Sequence, residues 1–368
     1  MRSILAHVSR FDWLLQGAVF LLTGLGILSL FSLSGVSPLP YFERQLLWAG
    51  VGIVLLLAAS SIDFRLFRTQ SFAVFIFYVL TVVLLVAVLT ASFKIRGVDA
   101  WLKFGNVLFQ PVELVKLALV ILFAKFFSKR HIEIYRVEHL LVSGLYLIIP
   151  TSLVLLQPDL GSAVVLISIW VAIVVFSGMK LRHFFALLLI AALIIGGAWL
   201  GALKPYQKTR ITSFFDPYAD SRGAGYQVLQ SMIAVGSGQL RGKGLGYGSQ
   251  THLHFLPEAE TDFIFAAFAE EWGFVGTIFM LLLFLIVIWR VVRIGMNASD
   301  NFSRLYTLGF AALIFTQSFI HIGMNMGALP ITGITLPFVS YGGSSLVTLL
   351  AGVGILQNIK INSRREIE

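Results

Sequence analysis

Ten separate stretches of this 368-residue sequence are almost entirely apolar, and each is long enough to cross a lipid bilayer as a helix. The whole chain is 58% hydrophobic and only 12% charged, whereas a soluble domain is about 25% charged. Lipid cannot satisfy the open edge of a sheet, so such stretches must be helical. The sequence therefore predicts an all-α integral membrane protein with ten transmembrane helices, at 12–33, 45–62, 71–92, 111–128, 138–156, 160–179, 182–202, 263–289, 303–325 and 343–361.

The basic residues indicate which side of the membrane each connection occupies. Cytoplasmic loops carry an excess of Lys and Arg, and long loops are discounted in this rule. With the N-terminus in the cytoplasm, sixteen basic residues lie in cytoplasmic segments and four in short outer segments. We therefore expect both termini to be cytoplasmic. The net charge of +9 then belongs to these loops, and no nucleic-acid partner is expected.

One connection is far longer than the others. Residues 203–261 are predicted to form a single extracytoplasmic loop, whereas connections usually have about 4–6 residues and long ones tend to be functional. The loop is rich in glycine, with residues Gly236, Gly238, Gly242, Gly244, Gly246 and Gly248 close together. Such glycines let the backbone approach a ligand or another chain closely, and they are equally typical of a flexible loop. A nucleotide-binding P-loop is excluded, because Lys243 is followed by Gly244 rather than by Ser or Thr.

Charged residues inside predicted spans are expensive in lipid and are usually retained for function. Glu113 and Lys116 lie three residues apart, on one face of the helix that Pro111 begins. They could neutralise each other for insertion, or they could line a polar cavity open to the outside. Asp159 lies in a tight outer turn between two spans, where it could cap the next helix or belong to a site.

Three carboxylates end the long loop, and the last of them, Asp262, directly precedes an apolar helix. Asp262 could simply cap that helix. Alternatively, it is a general base, held on a rigid element at the membrane surface. Glu270 and Glu271 follow about 12–14 Å further along the same helix. They cannot face acyl chains, so we expect them to face the protein interior or water.

The connection before the last span combines backbone breakers with hydroxyl groups. Pro337 and two consecutive glycines interrupt it, and Ser340, Tyr341 and Ser344 lie beside them. Irregular backbone near a membrane is tolerated only where protein or water covers it. This segment could line a polar cavity, or it could cap the last helix.

These motifs, in this order, resemble those of the SEDS proteins (shape, elongation, division, sporulation), and most of all the RodA-like members. The resemblance covers nearly the whole chain and rests on the following segments: Phe109–Lys116, Gln157–Gly161, Asp216–Pro217, Gly223–Gln227, Gln230–Ser231, Ala234–Gly238, Gly242–Gly248, Leu256–Phe265 and Pro337–Ser344. FtsW and the sporulation paralogue share most of these motifs, so the family is better defined than the subfamily.

The resemblance implies a peptidoglycan glycosyltransferase that polymerises lipid II, a disaccharide-pentapeptide on undecaprenyl diphosphate, for cell elongation or division. It places the family's catalytic acid on Asp262. Its cavity residues fall on four positions: Glu113, Lys116, Trp101 and Asp159. The segment from Arg96 to Leu102 departs from the small-residue–Arg–Trp pattern of many members, which leaves the match at Trp101 incomplete. The resemblance also places the chain in the bacterial cytoplasmic membrane.

The chemistry of this reaction suits the residues of the chain. The acceptor is a sugar hydroxyl of high pKa that needs a base, and one base acting opposite the leaving group inverts the anomeric centre. The departing diphosphate gains negative charge, which cations or a metal ion can stabilise. The loop offers Arg210, Arg241 and Lys243, although these could equally be ordinary solvated charges. A Mg²⁺ or Mn²⁺ ion near Asp262 is plausible chemistry, but the sequence contains no dedicated cage for it.

The resemblance also implies a protein partner, a class B penicillin-binding protein with transpeptidase activity, along with other proteins of the elongation or division complex. A second hypothesis is a flippase or secondary transporter for a lipid-linked precursor, because a buried Glu–Lys pair and interrupted helices suit transport. A third hypothesis is a scaffold without catalysis, in which Asp262 would be dispensable. A polymerase places its essential groups at the outer face and works in detergent, whereas a transporter responds to a gradient.

Overall fold

The computed structural model describes residues 7–35, 40–62, 69–91, 93–95, 98–105, 107–129, 137–197, 200–201, 205–220 and 223–365. The fold is mainly helical, as predicted. The described helices are α1 (Trp13–Ser34), α2 (Tyr41–Ser61), α3 (Ser71–Ala91), α4 (Pro111–Ser128), α5 (Val137–Leu156), α6 (Leu160–Phe176), α7 (Leu181–Gly197), α8 (Pro205–Phe215), α9 (Ala224–Ser237), α10 (Ser249–His252), α11 (Ile264–Met296), α12 (Asn301–Asn325) and α13 (Gly343–Arg365), with a 3₁₀ helix at Pro217–Asp220.

Each of the ten predicted spans coincides with one of these helices. Seven helices are long and apolar enough to cross a membrane, namely α1, α2, α3, α5, α11, α12 and α13. The apolar helices α6 and α7 are shorter. Helix α4 differs because it carries three charged residues within its 18 residues, Glu113, Lys116 and Lys125. The chain is therefore a multi-pass membrane protein, and the number of ten crossings stays a prediction.

Helix α4 lies in the interior of the bundle, where it packs against α3, α6 and α12. Nearly all of its side chains are buried, including those of Glu113 and Lys116. Helix α13 packs along α2, and α11 packs against α1 and α12. The charged residues of α4 are therefore surrounded by protein rather than by lipid. This lowers the free-energy cost of placing their charges at the depth of the membrane.

A small antiparallel sheet precedes α4, which the all-helical prediction did not include. Its strands are β1 (Phe93–Ile95), β2 (Val98–Phe104) and β3 (Val107–Phe109), in the order β1-β2-β3. Phe104 pairs with Val107 across a two-residue connection that begins with Gly105 at a φ of +60°. A two-residue Gly-Asn connection between apolar runs is a recognised hairpin signal, so the sequence did contain this information.

Helix α11 is broken at Gly273, whose φ of +66° and ψ of −165° are not helical. The residues before the break, from Ile264 to Glu271, are all buried. The residues after it present an exposed apolar face that begins at Phe274 and continues to Met296. The exposed apolar face of α11 therefore starts about a dozen residues after the start of the predicted span 263–289 and continues past its end.

The predicted loop 203–261 contains α8, the 3₁₀ helix, α9 and α10. Between α9 and α10 lies the glycine-rich loop, residues 238–248, which packs on the break in α11. Lys243 N–H donates to the carbonyl of Glu270 at 3.0 Å, and Gly244 N–H donates to that of Glu271 at 3.0 Å. Close backbone approach, one of the two expectations, is therefore found at Gly238 and Gly242, where a Cβ would overlap the carbonyl oxygens of Ala269 and Glu271.

The ends of the bundle are held by different networks. At one end, the N-terminal ends of α2, α6 and α11 meet the connector between α12 and α13, residues 326–342. The residue before α4 is bonded to the first turn of α13, which follows the connector directly. At the other end, Asp12 N–H donates to Gln357 Oε1 at 2.7 Å, which joins the start of α1 to the last turns of α13. The first and last helices therefore begin and end at the same face of the bundle.

Candidate functional site

Asp262 lies in a tight turn immediately before α11. The carbonyl of Glu258, a residue with a φ of +54°, accepts hydrogen bonds from the N–H groups of Thr261, Asp262 and Phe263 at 3.1–3.2 Å. The Asp262 side chain is half-buried. The turn therefore fixes the backbone of Asp262, and the side chain stays partly exposed at one end of the bundle.

Asn325 of α12 accepts a hydrogen bond from the first turn of α11. The N-cap position belongs to Phe263, which makes no capping hydrogen bond, and Asn325 Oδ1 accepts from Ala266 N–H at 3.0 Å. Asn325 Nδ2 donates to the carbonyls of Asp262 at 2.9 Å and His321 at 2.8 Å. Asp262 therefore lies one residue before the N-cap position, and one N–H group of the first turn is satisfied from α12.

The connector 326–342 holds the same turn from the other side. Ser340 Oγ donates to the carbonyl of Thr261 at 2.8 Å, and Tyr341 N–H donates to the carbonyl of Glu260 at 2.9 Å. Gln45 of α2 in turn donates to the carbonyl of Ser340 at 3.1 Å. The hydroxyl-rich segment that the sequence singled out therefore positions the backbone on which Asp262 lies.

Gly333 of the connector lies beside the Asp262 carboxylate. A Cβ built on Gly333 would be 3.5 Å from Asp262 Oδ2, and Gly333 has a φ of +75°. Its neighbours Thr332 and Ile334 contact Gly161, on which a Cβ would lie 3.0 Å from the Thr332 carbonyl. One short segment therefore separates Asp262 from the N-terminal end of α6, which begins directly after Asp159.

Glu113 and Lys116 form a buried ion pair, with 2.7 Å between Oε1 and Nζ and side-chain exposures of 5% and 2%. Asp159 caps α6, since its Oδ1 accepts from Ser162 N–H at 2.9 Å. Burial raises the pKa of the Asp159 carboxyl, while its hydrogen bond to Ser162 and the Lys116 charge act against the rise. The three charged groups are thus close enough to interact, and Asp159 serves as a cap whatever else it does.

The two other cavity residues lie near the start of α4. Ser344 Oγ accepts from Gln110 N–H at 3.0 Å, which ties the first turn of α13 to the residue before α4. Trp101 is half-buried in β2, a strand that packs on α3 and α4. The Ser344 hydroxyl therefore already makes a hydrogen bond within the protein. Substrate contacts of Ser344 and of Trp101 stay predictions.

The predicted phosphate-binding cations differ in their surroundings. Lys243 Nζ lies 2.7 Å from Glu270 Oε1 and 2.8 Å from Ser249 Oγ, so this ammonium group is engaged within the protein. Arg241 is exposed. Arg210 belongs to α8, but its side chain lies outside the described part of the chain. Of Lys243 and Arg241, the latter is thus the better placed to meet an external anion.

Glu270 and Glu271 face the protein interior, as expected, but their partners could not be identified from the sequence. Glu270 accepts hydrogen bonds from Gln250 N–H at 3.0 Å and from the hydroxyl of Thr251 at 2.9 Å, in addition to Lys243. Glu271 accepts from Gly246 N–H at 3.0 Å and from Ser32 of α1. These carboxylates fasten the glycine-rich loop to α11.

Among the described residues, no three His, Asp or Glu side chains gather into a group that could hold a metal ion. One carboxylate at Asp262 supplies fewer ligands than Mg²⁺ or Mn²⁺ requires, so the described residues do not form a site for either ion on their own. The expected divalent cation stays a prediction, and the arrangement of Asp262, Asn325 and Gly333 is understood without it.

Comparison with known proteins identifies the family. The profile of the FTSW_RODA_SPOVE family, described as cell cycle protein, matches residues 12–365. The chain is 37% identical to stage V sporulation protein E of Bacillus subtilis (strain 168), over 96% of this chain and 98% of that protein. It is also 37% identical to peptidoglycan glycosyltransferase MrdB of Escherichia coli (strain K12), over 86% and 85% of the two chains.

A solved structure described as a peptidoglycan synthase complex that coordinates polymerization and crosslinking contains a chain with the same fold. Its TM-score is 0.80 at 33% sequence identity, and the match covers 96% of this chain and 98% of that one. The equal identities to a sporulation protein and to MrdB do not separate the subfamilies. The chain belongs to the FtsW/RodA/SpoVE family, the SEDS proteins.

Proposed function

We infer that this protein is a peptidoglycan glycosyltransferase, which polymerises lipid II into glycan strands at the outer face of the cytoplasmic membrane. The relatives that carry this activity in their names match most of the chain, and the match includes the residues around Asp262. The observation that carries the proposal is the position of Asp262, a half-buried carboxylate directly before α11, on a backbone that Asn325 and Ser340 hold in place.

In this mechanism Asp262 accepts the proton of the acceptor sugar hydroxyl as the oxygen attacks the anomeric carbon of the donor. The bond from that carbon to the diphosphate oxygen breaks, and undecaprenyl diphosphate leaves. A rigid backbone matters here, because general bases act within hydrogen-bond reach of the proton. Attack opposite the leaving group inverts the anomeric centre, so an α-linked donor yields a β-linked strand.

The surroundings of Asp262 suit the charge that develops on the diphosphate. The N-terminal ends of α6 and α11 meet the connector, and that of α4 is bonded to the first turn of α13. Each helix N-terminus carries partial positive charge. Arg241 and the Glu113–Lys116–Asp159 cluster supply further polar groups. Because the donor already contains an activated diphosphate, the reaction needs no nucleotide.

We propose that the chain works with a class B penicillin-binding protein and other proteins of the elongation or division complex. The support is the fold shared with a chain of a peptidoglycan synthase complex that coordinates polymerization with crosslinking. We further propose that both termini and the network around Asp12 face the cytoplasm. The count of basic residues supports this orientation.

The second hypothesis, a transporter of lipid-linked precursors, draws support from the sealed Glu113–Lys116 pair inside the bundle. Buried ionisable residues of this kind also occur in transporters. The two functions differ in a simple respect. A polymerase makes glycan from lipid II in detergent, where no gradient exists, and a transporter does not.

The test is polymerisation of lipid II by the purified protein in detergent, with glycan length read on a gel. We expect Asp262→Asn to insert and fold normally but to make no glycan, because an amide cannot accept the proton. Glu260→Gln is the matched control, since Glu260 is a half-buried carboxylate two residues away, and it should polymerise normally. Glycan of normal amount from the Asp262→Asn protein would remove Asp262 as the base.

A further inference from the structure

The tip of the glycine-rich loop, Leu240 to Tyr247, exposes large apolar side chains. Leu240 is 60% exposed and Tyr247 is 77% exposed, and Leu245 between them is also exposed. In a soluble protein such a patch marks an interaction site. The position of the tip relative to α11 indicates what the patch meets.

Main-chain hydrogen bonds fix the tip to the first residues of the lipid-facing part of α11. Phe274 N–H donates to the carbonyl of Gln239 at 2.8 Å, and Val275 N–H donates to that of Leu240 at 3.1 Å. Phe274 and Val275 are themselves exposed, and the same face continues down the helix. The apolar tip is therefore continuous with the surface that α11 presents to lipid.

The length of α11 places this contact at the edge of the hydrocarbon core. Arg290, which binds the Asp12 carboxylate, marks the opposite boundary because a guanidinium group does not lie in the hydrocarbon. Val275 is fifteen residues earlier, about 22 Å along the helix. The hydrocarbon core is about 30 Å thick. The tip thus lies at the depth of the outer acyl chains or just above them, not far out in water.

The backbone of the tip is prepared for contact with lipid. Irregular backbone near acyl chains needs internal hydrogen-bond partners, because lipid offers none. Five N–H groups of this short segment have such partners within the protein, those of Gly242, Lys243, Gly244, Gly246 and Tyr247. A loop built for water has no such requirement, since solvent satisfies its N–H groups.

The two charges of the tip also fit a lipid surface. Lys243 is paired with Glu270 and brings no unbalanced charge to the boundary. Arg241 is exposed and has a long apolar stem, so its guanidinium group can reach the phosphates while the stem lies along the acyl chains. Tyrosine, as at position 247, is enriched at this level of membranes.

We propose that the tip of the glycine-rich loop is a membrane-contacting element, with Leu240, Leu245 and Tyr247 resting in the phospholipid leaflet beside Phe274. The ligand is the boundary between headgroups and acyl chains. This contact would hold the loop, through Glu270 and Glu271, at a fixed height above the membrane. The proposal concerns the surface of the chain and does not depend on its catalytic activity.

The chain contains no cysteine, so single thiols can be placed without a background. We would introduce Leu240→Cys and Tyr247→Cys, label each with an environment-sensitive fluorophore, and reconstitute the proteins in phosphatidylcholine–phosphatidylglycerol nanodiscs. Leu282→Cys, exposed in the middle of α11, is the lipid reference. Ser299→Cys, exposed between α11 and α12, is the water reference. Nanodiscs leave both membrane faces open to reagents.

We expect lipids that carry a nitroxide near the headgroup to abolish most of the emission at Leu240 and Tyr247, and aqueous iodide to leave it nearly unchanged. The Ser299 label should show the reverse. The proposal is overturned if iodide quenches both tip labels as strongly as the Ser299 label while the lipid nitroxide does not. The tip would then be exposed to solvent, where it could bind a protein partner rather than lipid.

Discussion

Asn325 is the residue on which the placement of Asp262 depends most directly, although it lies 63 positions away in the sequence. Its amide spans two helices, accepting from the first turn of α11 and donating to the carbonyls of Asp262 and His321. We predict that Asn325→Ala lowers kcat for lipid II polymerisation about tenfold to a hundredfold while changing KM little. Small displacements of a catalytic group have costs of this size.

A second buried asparagine provides the control for this prediction. Asn358 Nδ2 donates to the carbonyls of Ser60 and Ile62 at the opposite end of the bundle. Each substitution to Ala leaves buried partners unsatisfied and should lower stability by about 1–3 kcal/mol. Only the change at Asn325 should lower kcat. Equal kcat values for the two variants would mean that Asn325 serves stability alone.

The Glu113–Lys116 pair allows its two interpretations to be separated. Removing one partner leaves an unpaired charge in the bundle, so we predict that Glu113→Gln and Lys116→Met each destabilise the protein by about 3–5 kcal/mol. The double change Glu113→Gln with Lys116→Met should recover most of this loss, since neither charge remains. Thermal unfolding in detergent measures the stability of each variant.

Polymerisation by the double variant then decides the role of the pair. If the pair lines the substrate cavity, the double variant is stable but inactive. If the pair serves insertion only, stability and activity recover together. The first result is the one we expect, because Asp159 interacts electrostatically with the same two groups. Full activity in the double variant would contradict it.

At the scale of elements, the apolar pattern predicted every long helix but not the shape of α11. Glu270 and Glu271 interrupt its apolar run just before Gly273, but apolar residues lie on both sides of them, so the pattern predicted one continuous helix. The break arises from contacts with the glycine-rich loop, whose residues lie about 30 positions earlier. The spacing of apolar residues indicates which face of one helix is buried. It does not indicate which distant segment of the chain packs against that helix.

Two glycines of this loop give a matched test of its packing. A Cβ on Gly242 would overlap the carbonyl of Glu271, whereas nothing lies within 4 Å of a Cβ on Gly246. Both have positive φ, +79° and +82°. We predict that Gly246→Ala costs only the backbone strain, about 1–2 kcal/mol. Gly242→Ala should lower Tm much further and expose the loop to limited proteolysis. Similar Tm values for the two variants would contradict the packing described here.

The difference between patterns along one helix and contacts between segments also explains which candidate site residues the sequence singled out. Asp262, Glu113, Lys116 and Asp159 were found because a charge is conspicuous in an apolar run. Asn325 carries no charge, and its role depends on a pairing between α12 and α11. The carboxylates of Glu270 and Glu271 were conspicuous, but their partners lie in the loop and in α1. Contacts between distant segments were therefore the part that could not be predicted.

At the scale of the whole molecule, the bundle has two unlike ends. One gathers five helix N-termini around the connector and Asp262, with three carboxylates before α11. The other holds Asp12 against Arg290 and Lys360. The positive-inside rule assigns the second end to the cytoplasm. Lipid II chemistry at Asp262 requires the first end to face outward, so the function and the charge asymmetry demand the same orientation.

This orientation is testable in intact bacterial cells, because the absence of cysteine again allows single labels. Tyr218→Cys places an exposed thiol in the long connection near Asp262, and Ser299→Cys places one between α11 and α12. We predict that a membrane-impermeant maleimide labels the Tyr218 position in whole cells but labels the Ser299 position only after permeabilisation. Labelling of Ser299→Cys in whole cells would put the basic end outside and leave Asp262 in the cytoplasm. A carboxylate on that side could not act on glycan strands that grow outside the cell, so this one result would refute the orientation and the proposed reaction together.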